Sequence, residues 1–276
     1  MNAPLPLIGV SQTTGNIREL MKHVADTGLN IVISGESGVG KELVAQNLYF
    51  SSPRKGRPFI KVDCAALPEG LLESELFGYE RGAFTGAEQR KRGKFKLAHE
   101  SVLFLDEIGD PSLSLQSKLF HVLQSGEFSP LGSEKEIKTN TWIIAAINHN
   151  LEQDLKNGKF GEDLYYRLNI IKFYIPPLRN RPEDIPHLIE YYLQKYSNCF
   201  NTKQLLKPSK RVMAKLLAYH WPGNIRELQN VLKRVLVLKN WEALINELFI
   251  SDTSPNKTTL SYMRARQEND ATTINK

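Results

Sequence analysis

The 276-residue chain is 41% hydrophobic and 24% charged, which suits a soluble globular protein of one large or two modest domains and excludes a disordered or collagen-like chain. Its two cysteines, Cys64 and Cys199, make neither a disulfide framework nor a metal cluster. No apolar run approaches the roughly 20 residues of a membrane helix, and no charged leader opens the chain, so a cytoplasmic protein without a membrane anchor is expected. The 36 basic and 30 acidic residues leave a net charge of +6, weak evidence by itself for a nucleic-acid partner.

The elements follow in chain order. Ile17, Leu20, Met21 and Val24 share one face of a helix from Asn16 to about Ala25, which Gly28 ends. Short apolar runs at Asn30–Ser34, Phe59–Asp63, Val102–Leu105, Thr141–Ile147 and Ile170–Ile175 do not alternate. Helical patterns at Lys41–Tyr49 and Ser114–Gln124 separate some of them. This is the pattern of a parallel sheet covered on both faces. From Pro176 to Pro186 the prolines and the Arg179-Asn180-Arg181 run read as a linker. Beyond it the strong patterns are helical, over about Ile185–Tyr196, Ser209–Tyr219 and Asn224–Leu238. The expected organisation is an α/β unit over 1–176, a helical lid over 177–250 and a polar, flexible tail over 251–276.

Gly35-Glu36-Ser37-Gly38-Val39-Gly40-Lys41 lies between a predicted strand and a predicted helix, the context that makes G-x-x-x-x-G-K a phosphate loop. Its glycines let backbone N–H groups curl around an anion, the helix start adds a positive dipole end, and Lys41 reaches the outer phosphates. Glu42 stands where the generic motif has a Ser or Thr magnesium ligand. The third apolar run ends in Asp106-Glu107. There Asp106 would hold the hydrated Mg²⁺ of ATP, and Glu107 would orient and deprotonate the attacking water.

Gly82-Ala83-Phe84-Thr85-Gly86-Ala87 sits between Glu80-Arg81 and Glu88-x-Arg90. Its glycines oppose a helix, and a phenylalanine at such a tip points to a partner that buries it. With Glu75-Leu76-Phe77-Gly78-Tyr79-Glu80-Arg81 before it, the segment resembles the sigma-54-interacting loop of bacterial enhancer-binding proteins, a branch of the AAA+ ATPases. The resemblance runs from about Leu7 to Leu238. It takes in Leu7-Ile8-Gly9, Cys64-Ala65-Ala66-Leu67, Ala145-Ala146-Ile147-Asn148, Glu162–Leu168 and Trp221–Leu228.

That resemblance implies an AAA+ P-loop fold and a ring, commonly a hexamer, with ATP between subunits and Ile8 and Gly9 beside the nucleotide. Asn148 and Arg226 resemble the first and second sensors of the γ-phosphate. Asn224 and Glu227 read as a capping box that places Arg226 in the first turn of its helix. Gly82 to Ala87 would contact the sigma-54 factor, and the basic run Arg90–Lys96 would help grip promoter DNA within the polymerase complex. The sequence also departs from the family. Gly161 replaces one of two arginines that reach the neighbouring subunit's ATP, leaving Arg167 as the expected finger. Asp63 replaces the asparagine that tethers the catalytic glutamate, which implies a looser tether and faster basal hydrolysis. No receiver domain is legible, and Ser209–Leu238, helix-turn-helix with basic residues, is better explained as the lid; the expectation is a cut-down activator or one that borrows its DNA contact from another subunit. The alternatives are an ATPase-impaired subunit of a mixed ring and a AAA+ remodeller of another client.

Overall fold

The computed structural model describes residues 5–199 and 206–242, together with Leu244, Ile245 and Leu248; the tail expected over 251–276 lies outside them. Five parallel strands form the centre. They are β1 Ile31–Ser34, β2 Phe59–Asp63, β3 Val102–Asp106, β4 Trp142–Ile147 and β5 Ile171–Tyr174, in spatial order β2-β3-β4-β1-β5. The register sets Asp63 opposite Asp106, and Ser34 opposite both Ile147 and Tyr174. β1 and β4 are buried along their whole length and β3 along all but its last residue, because both sheet faces are covered. Val32, Leu103, Leu105, Ile143 and Ala145 fill one core, while Ile31, Ile33, Phe104, Ile144 and Phe173 fill the other. Each such large side chain contributes roughly 1.5–3 kcal/mol by leaving water.

The helices of the sheet-bearing unit include α1 Gln12–Val24, α2 Lys41–Ser51, α3 Glu69–Phe77, α4 Leu113–Ser125, α5 Leu151–Lys156 and α6 Glu162–Leu168, with a single turn at Lys94–Leu97 between α3 and α4. α1 begins earlier than its apolar periodicity predicts, because the Ser11 hydroxyl accepts a hydrogen bond from the Thr14 N–H and starts the helix there. Three further helices follow, α7 Asp184–Cys199, α8 Lys210–Ala218 and α9 Asn224–Leu238.

Residues up to Leu188, with Trp221–Leu228, form one compact unit; Ile189–His220 and the chain from Gln229 onward form the other. In the second unit Leu193, Val212, Leu216, Val231, Leu232 and Val235 are buried. The Tyr192 and Tyr196 rings stack there at 5.8 Å, and the Tyr196 hydroxyl donates to Gln229 Oε1 at 3.1 Å. Among the described residues no helix is long and apolar enough to cross a membrane.

The proline-rich segment expected as a linker is packed instead. Leu178–Asn180 forms a 3-10 turn, and Pro176, Pro177, Leu178, Arg181 and Asp184 are buried. Its prolines end β5 and set a turn, and Arg179, Arg181 and Asp184 reach long-range partners.

Candidate nucleotide site and its distant loop

The phosphate loop leaves the C-terminal end of β1, where an open parallel sheet presents its ligand crevice. Gly35, Gly38 and Gly40 have φ of 151°, 78° and 109°, conformations that favour glycine. A Cβ on Gly38 would lie 2.4 Å from the Gly223 carbonyl oxygen, so a side chain there would collide with backbone. Gly40 starts α2 without a side-chain cap, and the first N–H groups of the helix are the donors an anion uses. Lys41 is buried, and its Nζ donates to the Gly35 and Glu36 carbonyls at 2.9 and 3.4 Å. Burial lowers its pKa, against the pull of Glu107 and Asp106. The residues therefore form an anion cradle with a lysine folded back across it.

Asp106 and Glu107 end β3 beside this cradle. Glu107 has φ 56°, and its Oε1 lies 3.8 Å from Lys41 Nζ. Burial pushes the Glu107 carboxyl above the usual range; Lys41 opposes this, and Asp106 and Asp110 add to it. Its Oε2 is buried and accepts no hydrogen bond among the described residues. A buried carboxylate oxygen without a donor is costly and suits a group that takes a proton from water. Asp63, registered opposite Asp106, turns toward its own loop, where Oδ1 accepts from the Ala65 N–H at 3.1 Å. Burial, with Asp63 and Asp106 nearby, pushes the neighbouring Cys64 thiol up to about 12; that cysteine is packing and not a nucleophile.

Asn148, at the end of β4, lines a cleft of about 430 Å³ with Gly35, Glu36 and Tyr174. Its side-chain Oδ1 lies 2.6 Å from His149 Nδ1, and His149 Nε2 lies 2.8 Å from Asp154 Oδ2.

From the start of α9, Arg226 Nη1 donates to Ser37 Oγ at 3.0 Å, so Arg226 stands at the phosphate loop. The expected capping box takes another form. Glu227 Oε2 accepts from the Gly223 N–H at 2.9 Å, while Asn224 donates to Ser37 O and Glu36 Oε2 and accepts from the Leu178 N–H. Asn224 is fully buried and stitches the loop to the 3-10 turn rather than capping its own helix.

Sequence reading missed the residues beneath this site. Arg179 makes a bidentate pair with Glu36 and, with Asn224, holds that carboxyl below the usual carboxylate range. Asp184 is fully buried and accepts from the Val10 and Ser11 N–H groups and from the Ser11 and Thr14 hydroxyls at 2.6–2.9 Å. Burial raises its pKa, but those hydrogen bonds outweigh it and hold the carboxyl below the usual range. Arg181, also buried, donates to Val39 O at 3.0 Å and lies 3.9 Å from Asp184. Gly9 packs on the same carboxylate, where a Cβ would sit 2.6 Å from Asp184 Cγ, and Arg18 binds the Leu7 and Gly9 carbonyls. Gly9 is thereby connected to the phosphate loop through the buried Asp184 and Arg181. The partners lie more than 140 residues apart in sequence, so no local pattern announces them.

One predicted residue and the predicted contact loop stand elsewhere. Arg167, on α6, is exposed, and its Nε donates to Leu123 O in the last turn of α4 at 3.0 Å. The segment Gly82–Ala87 follows α3, on a two-residue antiparallel ladder of Gly78–Tyr79 with Lys91–Arg92. Gly82 N donates to Ala87 O, closing the loop. Phe84 is 47% exposed and meets the Tyr79 ring edge-on at 5.0 Å. A second hairpin, Glu127–Phe128 with Ile137–Lys138, supports it: Leu131 bridges to Tyr79, and a Cβ on Gly132 would lie 2.7 Å from Ala83 Cβ. The basic run beside the loop is partly neutralised in space, since Arg90 pairs with Glu80 at 3.0 Å and Lys91 and Lys94 pair with Glu75.

A doubly covered parallel sheet with this phosphate loop and a following helical lid is the AAA+ architecture. Residues 7–174 match the Sigma-54 interaction domain and residues 179–261 the AAA+ ATPase lid domain, and the chain belongs to the sigma-54 interaction domain family. The Nif-specific regulatory protein of Herbaspirillum seropedicae is 44% identical over 89% of this chain and 45% of its own length. Regulatory protein AtoC of Escherichia coli K12 is 49% identical over 81% of this chain and 48% of its own. The chain thus spans about half the length of these curated relatives. Among solved structures, NtrX from Brucella abortus in complex with ADP superposes with a TM-score of 0.79 at 35% identity, over 85% of this chain and 52% of that one. The same protein in complex with ATP gives 0.81 at 33% identity, over 97% and 61%.

Proposed function

We propose that this chain is a cytoplasmic ATPase that remodels sigma-54 RNA polymerase toward the open promoter complex, working as a homo-oligomeric ring, most simply a hexamer. The observation that carries this reading is the intact Gly82–Ala87 segment holding Phe84 outward on its own ladder. The amides of Gly35 to Lys41 take the phosphates of ATP, and Ile8 and Gly9 flank the base. Glu107, raised in pKa and with one oxygen lacking a donor, accepts the proton of the attacking water. Asn148 and Arg226 read the γ-phosphate, and Arg167 completes the site of the neighbouring subunit.

Among the described residues no cluster of three or more His, Cys, Asp or Glu side chains forms a metal cage. A magnesium ion would be shared with the phosphates of a bound nucleotide. Hard carboxylate oxygens at Asp106 and Glu42 already hold one cation between them, the Lys61 ammonium, so the donor set fits. When bound, that ion neutralises charge on the transferred phosphoryl group.

A covalent route leads from chemistry to contact. Glu107 is followed by Ser112, whose hydroxyl caps α4 and bonds Glu69 at the start of α3. α4 runs into the second hairpin, whose tip rests on Ala83. A shift at Glu107 is thus passed to the base of the loop, and Phe84 and Thr85 push on the sigma factor.

The discriminating experiment uses Thr85→Ala. Hydrolysis is expected to persist while sigma-54-dependent open-complex formation disappears. Normal transcription by that variant would remove the loop from the mechanism.

A further inference from the structure

Lys61 lies on β2 and sends its side chain along the sheet, with Nζ 5.8 Å from the Phe104 ring centroid. The ammonium ends between two acids, 2.7 Å from Glu42 Oε2 and 3.3 Å from Asp106 Oδ2. Glu42 stands in the first turn of α2, at the position where the generic phosphate-loop motif has its metal ligand. Asp106 ends the neighbouring strand β3. The ammonium therefore bridges two carboxylates of the kind a divalent ion would use.

We propose that Lys61 is a resident cation at the magnesium position, neutralising Glu42 and Asp106 in the metal-free protein and competing with the divalent ion for them. The inference rests on the nucleotide-site reading above. An ammonium is a compact charge with three donors on a flexible stem. It can bridge two carboxylates when the metal is absent and swing toward solvent when Mg²⁺ claims them, since Lys61 is 38% exposed at its side chain. Without it, two acids beside a phosphate cradle repel the diphosphate itself. The lysine thus supports metal-free nucleotide binding and, by like-charge repulsion, weakens the hold on a divalent ion.

Binding of ADP to the full chain, measured by titration calorimetry in EDTA and in Mg²⁺, tests this with Lys61→Met, which keeps the stem against Phe104, and with Lys61→Arg, which keeps the charge. The wild type is expected to bind ADP with a metal dependence under about threefold. Lys61→Met is expected to lose roughly tenfold in EDTA and to recover in Mg²⁺, with Lys61→Arg close to wild type. Mn²⁺ titrated into the ADP complex and followed by electron paramagnetic resonance should bind Lys61→Met more tightly. Equal metal dependence in all three proteins would overturn the proposal while leaving the nucleotide site standing. No ADP binding by the wild type in either condition would overturn both.

Discussion

A single buried carboxylate organises the nucleotide side of this molecule. Asp184 takes four hydrogen bonds from the segment Val10–Thr14 and lies beside Arg181, which in turn holds the Val39 carbonyl of the phosphate loop. Replacement by asparagine keeps the volume but swaps an oxygen acceptor for a donor that faces N–H and O–H groups. Asp184→Asn is expected to cost about 2–3 kcal/mol in denaturant unfolding, since hydrogen bonds to a charged group carry that order of free energy. The pH dependence has a definite sign. The folded-state pKa of Asp184 is depressed, so its contribution is complete above the ordinary carboxylate pKa and is lost as pH falls through the folded value. The stability gap between wild type and variant should therefore narrow on acidification below about pH 4. A gap independent of pH would mean that the stabilisation is not ionic.

Elements, more than residues, were legible in the amino-acid order. β1, β3 and β4 are short apolar runs because both their faces are covered. The phosphate loop and the acids after β3 announce themselves by residue type and chain order. What stayed hidden is long-range pairing. The Pro176–Pro186 stretch has a linker's composition, yet Asp184 and Arg181 are drawn inward by partners near residues 10 and 39. Asn224, read as a helix cap, spends its amide on Ser37 and Glu36. Lys61 carries no signal in the order of residues, because its pairing with Glu42 and Asp106 joins side chains from three different elements. The second hairpin carried no signal either, although it supports the sigma-54-type loop. Its tip residue Gly132 has φ 73° and leaves no room for a Cβ against Ala83. Gly132→Val is expected to displace the Gly82–Ala87 loop, with a backbone penalty of roughly 1–2 kcal/mol. Basal ATP turnover should stay within about twofold, being remote from the change, while open-complex formation falls sharply. Full activation by this variant would show that the hairpin does not hold the loop.

The reading of the whole molecule depends on a site completed by a second copy. Arg167 donates to the Leu123 carbonyl on α4 of its own chain, and the proposed function assigns its guanidinium to a neighbour's nucleotide. At Gly161, where the resemblance leads one to expect another arginine, an added Cβ would lie 3.6 Å from Gln116 Oε1, an ordinary contact. Specific ATPase activity should rise with protein concentration, and Arg167→Ala should lose about 10³-fold or more in turnover while ADP affinity is retained. Flat specific activity across concentrations would favour an impaired subunit that serves a competent partner. The buried tie at Asp184 also bears on how the gene can be shortened. A fragment stopped at Tyr174 would keep all five strands yet strip the Val10–Thr14 donors of their acceptor and Val39 of its guanidinium. Anyone seeking a minimal autonomous ATPase should carry the reading frame through α7, because Val10, Ser11 and Thr14 are anchored by Asp184.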